Sequence, residues 1–344
     1  MKKNRRQFIT TAALASLSIP LLGMKESILQ SDQSSMLQIK PPALKTGDTI
    51  AISSPAGAVW DEAQVDKFVS ILENSGFQVK RGQTLKEKSG YFAGTDELRA
   101  KEINDLFADK YVNAIFCMKG GWGCARILDK LNYDVIKNNP KVIMGFSDIT
   151  SLLIAIHAKT GLVTYHGPVG NSGWNDFTVK YVKGVLVDKE QMVYGYPTED
   201  ADKPYTLTNG KTQGVLVGGN LTVLAGMMGS IYLPDWKNKI LFLEETGEEP
   251  YRVDRMLTQL KLAGVLDAIS GFVFGKCVKC DAEEPEKAFT LKQVLEQHIQ
   301  PLGIPAFYGA MIGHIVNKYT LPIGVKAEMD ATSCSLKLLE SAVS

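Results

Sequence analysis

Two hydrophobic periods divide the chain. Short apolar runs, TIAIS at 49–53, FQV at 77–79, VNAIFCM at 112–118 and KVIMGF at 141–146, end in Ser, Gly or polar residues and read as strands. Between them, residues 60–76, 95–110, 125–139 and 148–159 carry apolar side chains at helical intervals, the first stopped by Gly76. Strand and helix alternate throughout, which predicts an α/β domain over 45–180 with a parallel sheet and ligand sites at the carboxyl ends of its strands.

The pattern changes after about residue 180. TQGVLVGGNLTVLAGMMG (212–229), NKILFLEETG (238–247), AISGFVFGKC (268–277), PAFYGAMIGH (305–314), NKYTLPIGVKAEMD (317–330) and CSLKLLE (334–340) read as strands. Only 250–264 and 289–299 read as helices. A β-rich α+β domain is therefore expected over 211–344, joined through a polar linker at 181–210. A chain of 344 residues also exceeds one comfortable core.

The N-terminus has a different character. Arg5-Arg6-Gln7-Phe8-Ile9 and the short apolar stretch after it resemble a twin-arginine export signal over 1–24, followed by a flexible polar segment at 25–44. Its removal takes away Lys2, Lys3, Arg5 and Arg6 and turns the formal charge from +1 to about −3. No later basic run replaces them, which argues against a nucleic-acid partner. Export would place the protein in the periplasm or at the cell surface, with no stable membrane insertion once the signal is gone.

Candidate chemistry sits where strands end. Ser147 lies at the turn from KVIMGF into a helix, where a nucleophile's hydroxyl would stand free beside the first helical N–H groups; a serine there is also an ordinary helix N-cap. Met118-Lys119-Gly120-Gly121-Trp122-Gly123 closes another strand, and its bare backbone could approach an anion or simply turn tightly. ILFLEE ends with Glu244 and Glu245 on opposite faces, so only one can enter a cleft. Thr246 and Glu249 have capping-box spacing before the helix at 250. Among the histidines, His166 and His314 follow strand-like runs, whereas His157 and His298 lie in helical stretches. Cys277 and Cys280 form a CxxC without a second pair or a following helix, so neither zinc nor redox chemistry is expected.

Taken in order, MKGGWGCARIL, GFSDITSLL, LVGGNLTVL, ILFLEETGEEPYRVDRMLTQL and the late GH resemble the serine LD-carboxypeptidase family, which includes muramoyl-tetrapeptide carboxypeptidases and microcin-immunity peptidases. The resemblance implies a triad of Ser147, Glu244 and His314, with an oxyanion hole from the backbone at Gly121 and Asp148. More weakly, it implies substrate contacts from Gly120, Trp122, Gly218, Gly219 and Asn220. It also implies a flavodoxin-like first half, a homodimer, no cofactor or metal, and release of the terminal D-alanine from peptidoglycan tetrapeptide stems. Detoxification of a peptidyl nucleotide is the enzymatic alternative. A periplasmic ligand-binding protein is the non-enzymatic one.

Overall fold

The computed structural model describes residues 37–196 and 203–344. The stretch read as an export signal, the rest of the N-terminal segment as far as residue 36, and residues 197–202 of the expected linker lie outside the described residues. In the first half, β1 (Thr49–Ser53), α1 (Glu62–Asn74), β2 (Gln78–Arg81), α2 (Asp96–Ala108) and β3 (Ala114–Cys117) are followed by α3 (Tyr133–Asn138), β4 (Val142–Gly145), α4 (Ile149–Thr160), β5 (Thr164–His166) and α5 (Asp176–Leu186). The five strands pair in parallel in the order β2-β1-β3-β4-β5. That is the flavodoxin-type doubly wound order, with its switch point between β1 and β3.

The helices form for local reasons. Asp61 and Thr95 cap α1 and α2 by accepting from Ala63 and Leu98 N–H. α1 turns Val65, Phe68, Val69 and Leu72 to the sheet. α4 differs, because Ile149 to Ile156 are all buried. Thr150 on α4 abuts Gly219 in the second half, so this helix is enclosed between the two sheets. The helix expected over 125–139 is broken. A 3₁₀ segment runs from Cys124 to Lys130, and Asn132 then caps α3 by accepting from Val135 N–H.

The second half comprises β6 (Val193–Tyr194), β7 (Tyr205–Thr208), β8 (Lys211–Asn220), α6 (Leu221–Met227), β9 (Lys239–Glu244), α7 (Pro250–Leu262) and α8 (Val265–Ala268). These lead into β10 (Gly271–Gly275), α9 (Leu291–Ile299), β11 (Ala306–Ala310), β12 (Leu321–Ile323), β13 (Lys326–Asp330) and β14 (Ser335–Leu338). Its sheet runs β6-β14-β13-β8-β9-β10-β11-β7, parallel from β8 to β11 and antiparallel outside.

Three expectations are corrected. LTVLAGM is helix α6, not strand, because the Asn220 side chain accepts from Val223 N–H and starts a helix there. β12 leaves the second half and pairs antiparallel with β5, so the first sheet contains a strand from the C-terminal part of the chain. Residues 37–44, expected to be flexible, are tied down. Ile39 exchanges hydrogen bonds with Gly161 and Val163, and the terminal Ser344 does so with Pro41 and Ala43.

Candidate active site

Ser147 follows β4 and has φ of 63°, a left-handed conformation that an L-residue with a side chain adopts only under constraint. The constraint is visible on both sides. A Cβ on Gly145 would stand 2.8 Å from Ile149 Cγ2, so glycine lets α4 fold back across the strand end. A Cβ on Gly120 would stand 2.8 Å from Ser147 Cβ and 3.0 Å from its Oγ. Ser147 is not the helix cap. Asp148 holds that position, with a carboxylate that accepts from Cys124 N–H at 2.8 Å instead of capping α4. Burial raises the Asp148 pKa, partly offset by that bond.

The glycine loop after β3 is fastened from beneath. Arg99 on α2 is fully buried and donates to the carbonyls of Pro55 and Gly123 at 2.6 and 2.9 Å, while pairing with Asp96. Gly57 N–H donates to Gly120 C=O at 3.2 Å. A trans peptide points its N–H opposite its C=O, so the Gly121 N–H faces away from Gly57. Among the described residues, neither this N–H nor that of Asp148 has an acceptor.

Across the cleft, Glu244 ends β9 and is fully buried. Its Oε2 lies 2.8 Å from Nδ1 of His314, which is partly exposed on the loop after β11. A carboxylate only accepts, so Nδ1 carries a proton, and in the neutral ring Nε2 keeps its lone pair. A Cβ on Gly313 would collide with the Glu244 carboxylate, which explains the glycine before the histidine. Burial pushes the Glu244 pKa up, but the His314 hydrogen bond and charge, with His166, outweigh it and hold the carboxyl below its ordinary value. The His314 ring packs edge-on against Phe146, at 4.8 Å between centroids, which brings it beside the Ser147 corner. No hydrogen bond joins Ser147 to His314 among the described residues, as is common in free enzymes.

Two buried groups lie behind the Glu244–His314 pair. His166 packs against Phe146 and Phe242, and burial lowers its pKa to about 4. Both of its ring nitrogens, with Glu244 Oε1 and Thr320 Oγ1, lack a partner among the described residues. Lys318 lies 4.5 Å over the Phe146 ring, and burial lowers its pKa to about 8. Nothing in NKYT distinguishes this lysine from a surface one, so sequence reasoning passed over it.

The other residues singled out in the sequence have varied surroundings. Glu245 accepts from Thr222 and Thr246 N–H at the start of α6, on the opposite face from Glu244. The capping box at Thr246 and Glu249 does not form. Thr246 Oγ1 donates to Val278 C=O, and Glu249 accepts from Glu283 N–H. Gly218, Gly219 and Asn220 pack between β9, α4 and α6, Gly218 against the Phe242 carbonyl. Trp122 is 65% exposed beside the glycine loop. Cys277 and Cys280 form a disulfide, an outcome that the missing zinc and thioredoxin contexts did not anticipate. It borders a cavity of 810 Å³ that includes Met311, Ile315 and Asn317 of the His314 loop.

Comparison with known proteins agrees with this geometry. The LD-carboxypeptidase N-terminal domain model matches residues 50–167, and the C-terminal domain model matches 213–329. The probable murein peptide carboxypeptidase of Bacillus subtilis is 39% identical over 90% of this chain and 96% of its own. A solved structure of the microcin C7 self-immunity protein MccF with aspartyl sulfamoyl adenosine has a TM-score of 0.81 at 29% identity, covering 89% and 100% of the two chains. The muramoyltetrapeptide carboxypeptidase of Oxalobacter formigenes has a TM-score of 0.75 at 27% identity, covering 84% and 97%. With both domain models matched in order across a cleft of this geometry, the chain belongs to the LD-carboxypeptidase family.

Proposed function

We propose that this protein is a serine LD-carboxypeptidase that releases the terminal D-alanine of murein tetrapeptide stems. The observation that carries the reading is the 2.8 Å contact of Glu244 with His314 Nδ1, facing a serine held at positive φ. The Ser147 hydroxyl attacks the carbonyl carbon of the last peptide bond, and His314 Nε2 takes its proton. The oxyanion is stabilised by the unused N–H groups of Asp148 and Gly121. The C–N bond then breaks, His314 returns the proton to the departing amine, and water repeats the sequence to free Ser147. Glu244 keeps the imidazole in the required tautomer and offsets its charge while it is protonated. Export through the N-terminal signal, and a homodimer, belong to the same proposal; with them the substrate would be cell wall outside the cytoplasm.

Purified protein incubated with disaccharide-tetrapeptide tests this by mass spectrometry. Wild type is expected to remove one alanine. Ser147→Ala should reduce the rate by about 10⁶-fold without changing the melting temperature by more than a few degrees. Intact tetrapeptide with wild type, alongside cleavage of aspartyl sulfamoyl adenosine, would overturn the murein reading in favour of a detoxifying one.

A further inference from the structure

Three loops at the Ser147 end of the first sheet each present an exposed aromatic side chain. Trp60, Tyr91 and Trp122 are 67%, 60% and 65% exposed. Soluble surfaces ordinarily scatter such rings singly, and a cluster marks an interaction site. These loops are joined to one another. Gly57 N–H donates to Gly120 C=O, Ala58 N–H to Tyr91 C=O at 2.9 Å, and Lys119 Nζ to Ala58 C=O at 3.2 Å. The Tyr91 and Trp122 rings meet edge to face at 5.8 Å, and the Lys88 ammonium stands 5.0 Å over Trp60. The aromatic surface therefore continues directly from Gly120, the residue pressed against Ser147, along a backbone fixed by hydrogen bonds.

We propose that this surface binds the glycan end of the substrate, with a pyranose ring stacked on Tyr91 and Trp122 and Trp60 extending the platform. The inference rests on the murein reading above. A carboxypeptidase leaves only one residue on the departing side of the scissile bond. Three exposed rings on three loops exceed the footprint of one residue, so this surface has to meet the acyl side. That side holds short or charged stem residues and then the sugars. Of these, the pyranose offers a flat C–H face that matches an exposed aromatic ring, whose polar edges stay wet. Lys88 supplies a cation suited to the carboxylates of the stem.

The test is the ratio of kcat/KM for disaccharide-tetrapeptide to that for the sugar-free tetrapeptide. Wild type should favour the sugar-bearing substrate by about tenfold, and Tyr91→Ala with Trp60→Ala should bring the ratio towards one. Adding the free disaccharide to the Ser147→Ala protein should shift its tryptophan emission, a readout that needs no turnover. A wild-type ratio of one, or a ratio that the variants leave intact, would overturn the proposal. An intact ratio with loss of dimer in sedimentation would instead give the rings to a second copy of this chain. Sugar binding without hydrolysis of either substrate would leave the platform standing and sink the carboxypeptidase reading.

Discussion

At the corner that carries Ser147, position is fixed by neighbours in the chain and one adjoining loop. Gly145 lets α4 turn back, Asp148 ties to Cys124, and Gly120 closes over the serine. Across the cleft, Glu244 and His314 lie 70 residues apart and meet through one hydrogen bond, with Gly313 and Phe146 restricting the imidazole. The first arrangement keeps its shape through backbone geometry, at the expense of a strained φ. The second keeps its shape through burial and charge, and so responds to protonation. A single isosteric change should damage the second while leaving the first intact.

Glu244→Gln is the largest test of that difference. The amide fits the same space, but it no longer offsets an imidazolium, and it can present its NH₂ to Nδ1 and favour the wrong tautomer. We expect kcat to fall by about 10⁴-fold. The Ser147 corner should be unaffected, which labelling with a small serine-directed phosphonate cannot report because it needs the base. A crystal structure of the variant can, and displacement of Ser147 φ out of the left-handed region would break the comparison.

The same contrast explains what could be read from sequence. The corner was legible because the apolar run VIMGF stops abruptly at Ser147 and helical spacing resumes at once. The choice of Glu244 over Glu245, and of His314 over His166, came only with the family resemblance, because no local period reports which face of β9 looks across the cleft. LTVLAGM misled because an uninterrupted apolar stretch has no period of its own, and the Asn220 cap decides it. β12 was assigned to the second half by its position in the chain, whereas its hydrogen bonds to β5 depend on the finished fold. Lys318 and the buried state of His166 likewise follow from packing alone.

His166 tests the chargeable side more gently. It faces Glu244 from β9 and His314 and Lys318 from the loop before β12, and it is neutral above its pKa of about 4. The unfolded chain takes up this proton below the ordinary histidine value of 6.5, while the folded chain does not. The stability from keeping His166 neutral is therefore present above pH 6.5 and lost as pH falls from 6.5 to about 4. The loss should approach about 3 kcal/mol. Urea unfolding of wild type and His166→Gln at pH 7 and pH 4.5 measures it. The variant should lose less stability on acidification, and equal losses would show that the histidine does not carry the effect.

The smallest expected effect bears on the corner itself. If the φ of 63° at Ser147 is held by its surroundings against the residue's own preference, glycine should occupy it more easily than serine. The strain of a left-handed non-glycine residue is about 1 kcal/mol or more, but glycine also gains freedom in the unfolded chain, which offsets part of it. Ser147→Gly should therefore be inactive yet more stable than Ser147→Ala by about 1 kcal/mol in urea unfolding. Comparing the two variants removes the hydroxyl from both sides and leaves the Cβ as the difference. Alanine equal to or more stable than glycine would mean that the serine conformation is relaxed. Ser147 would then owe its position to the cleft and not to the turn.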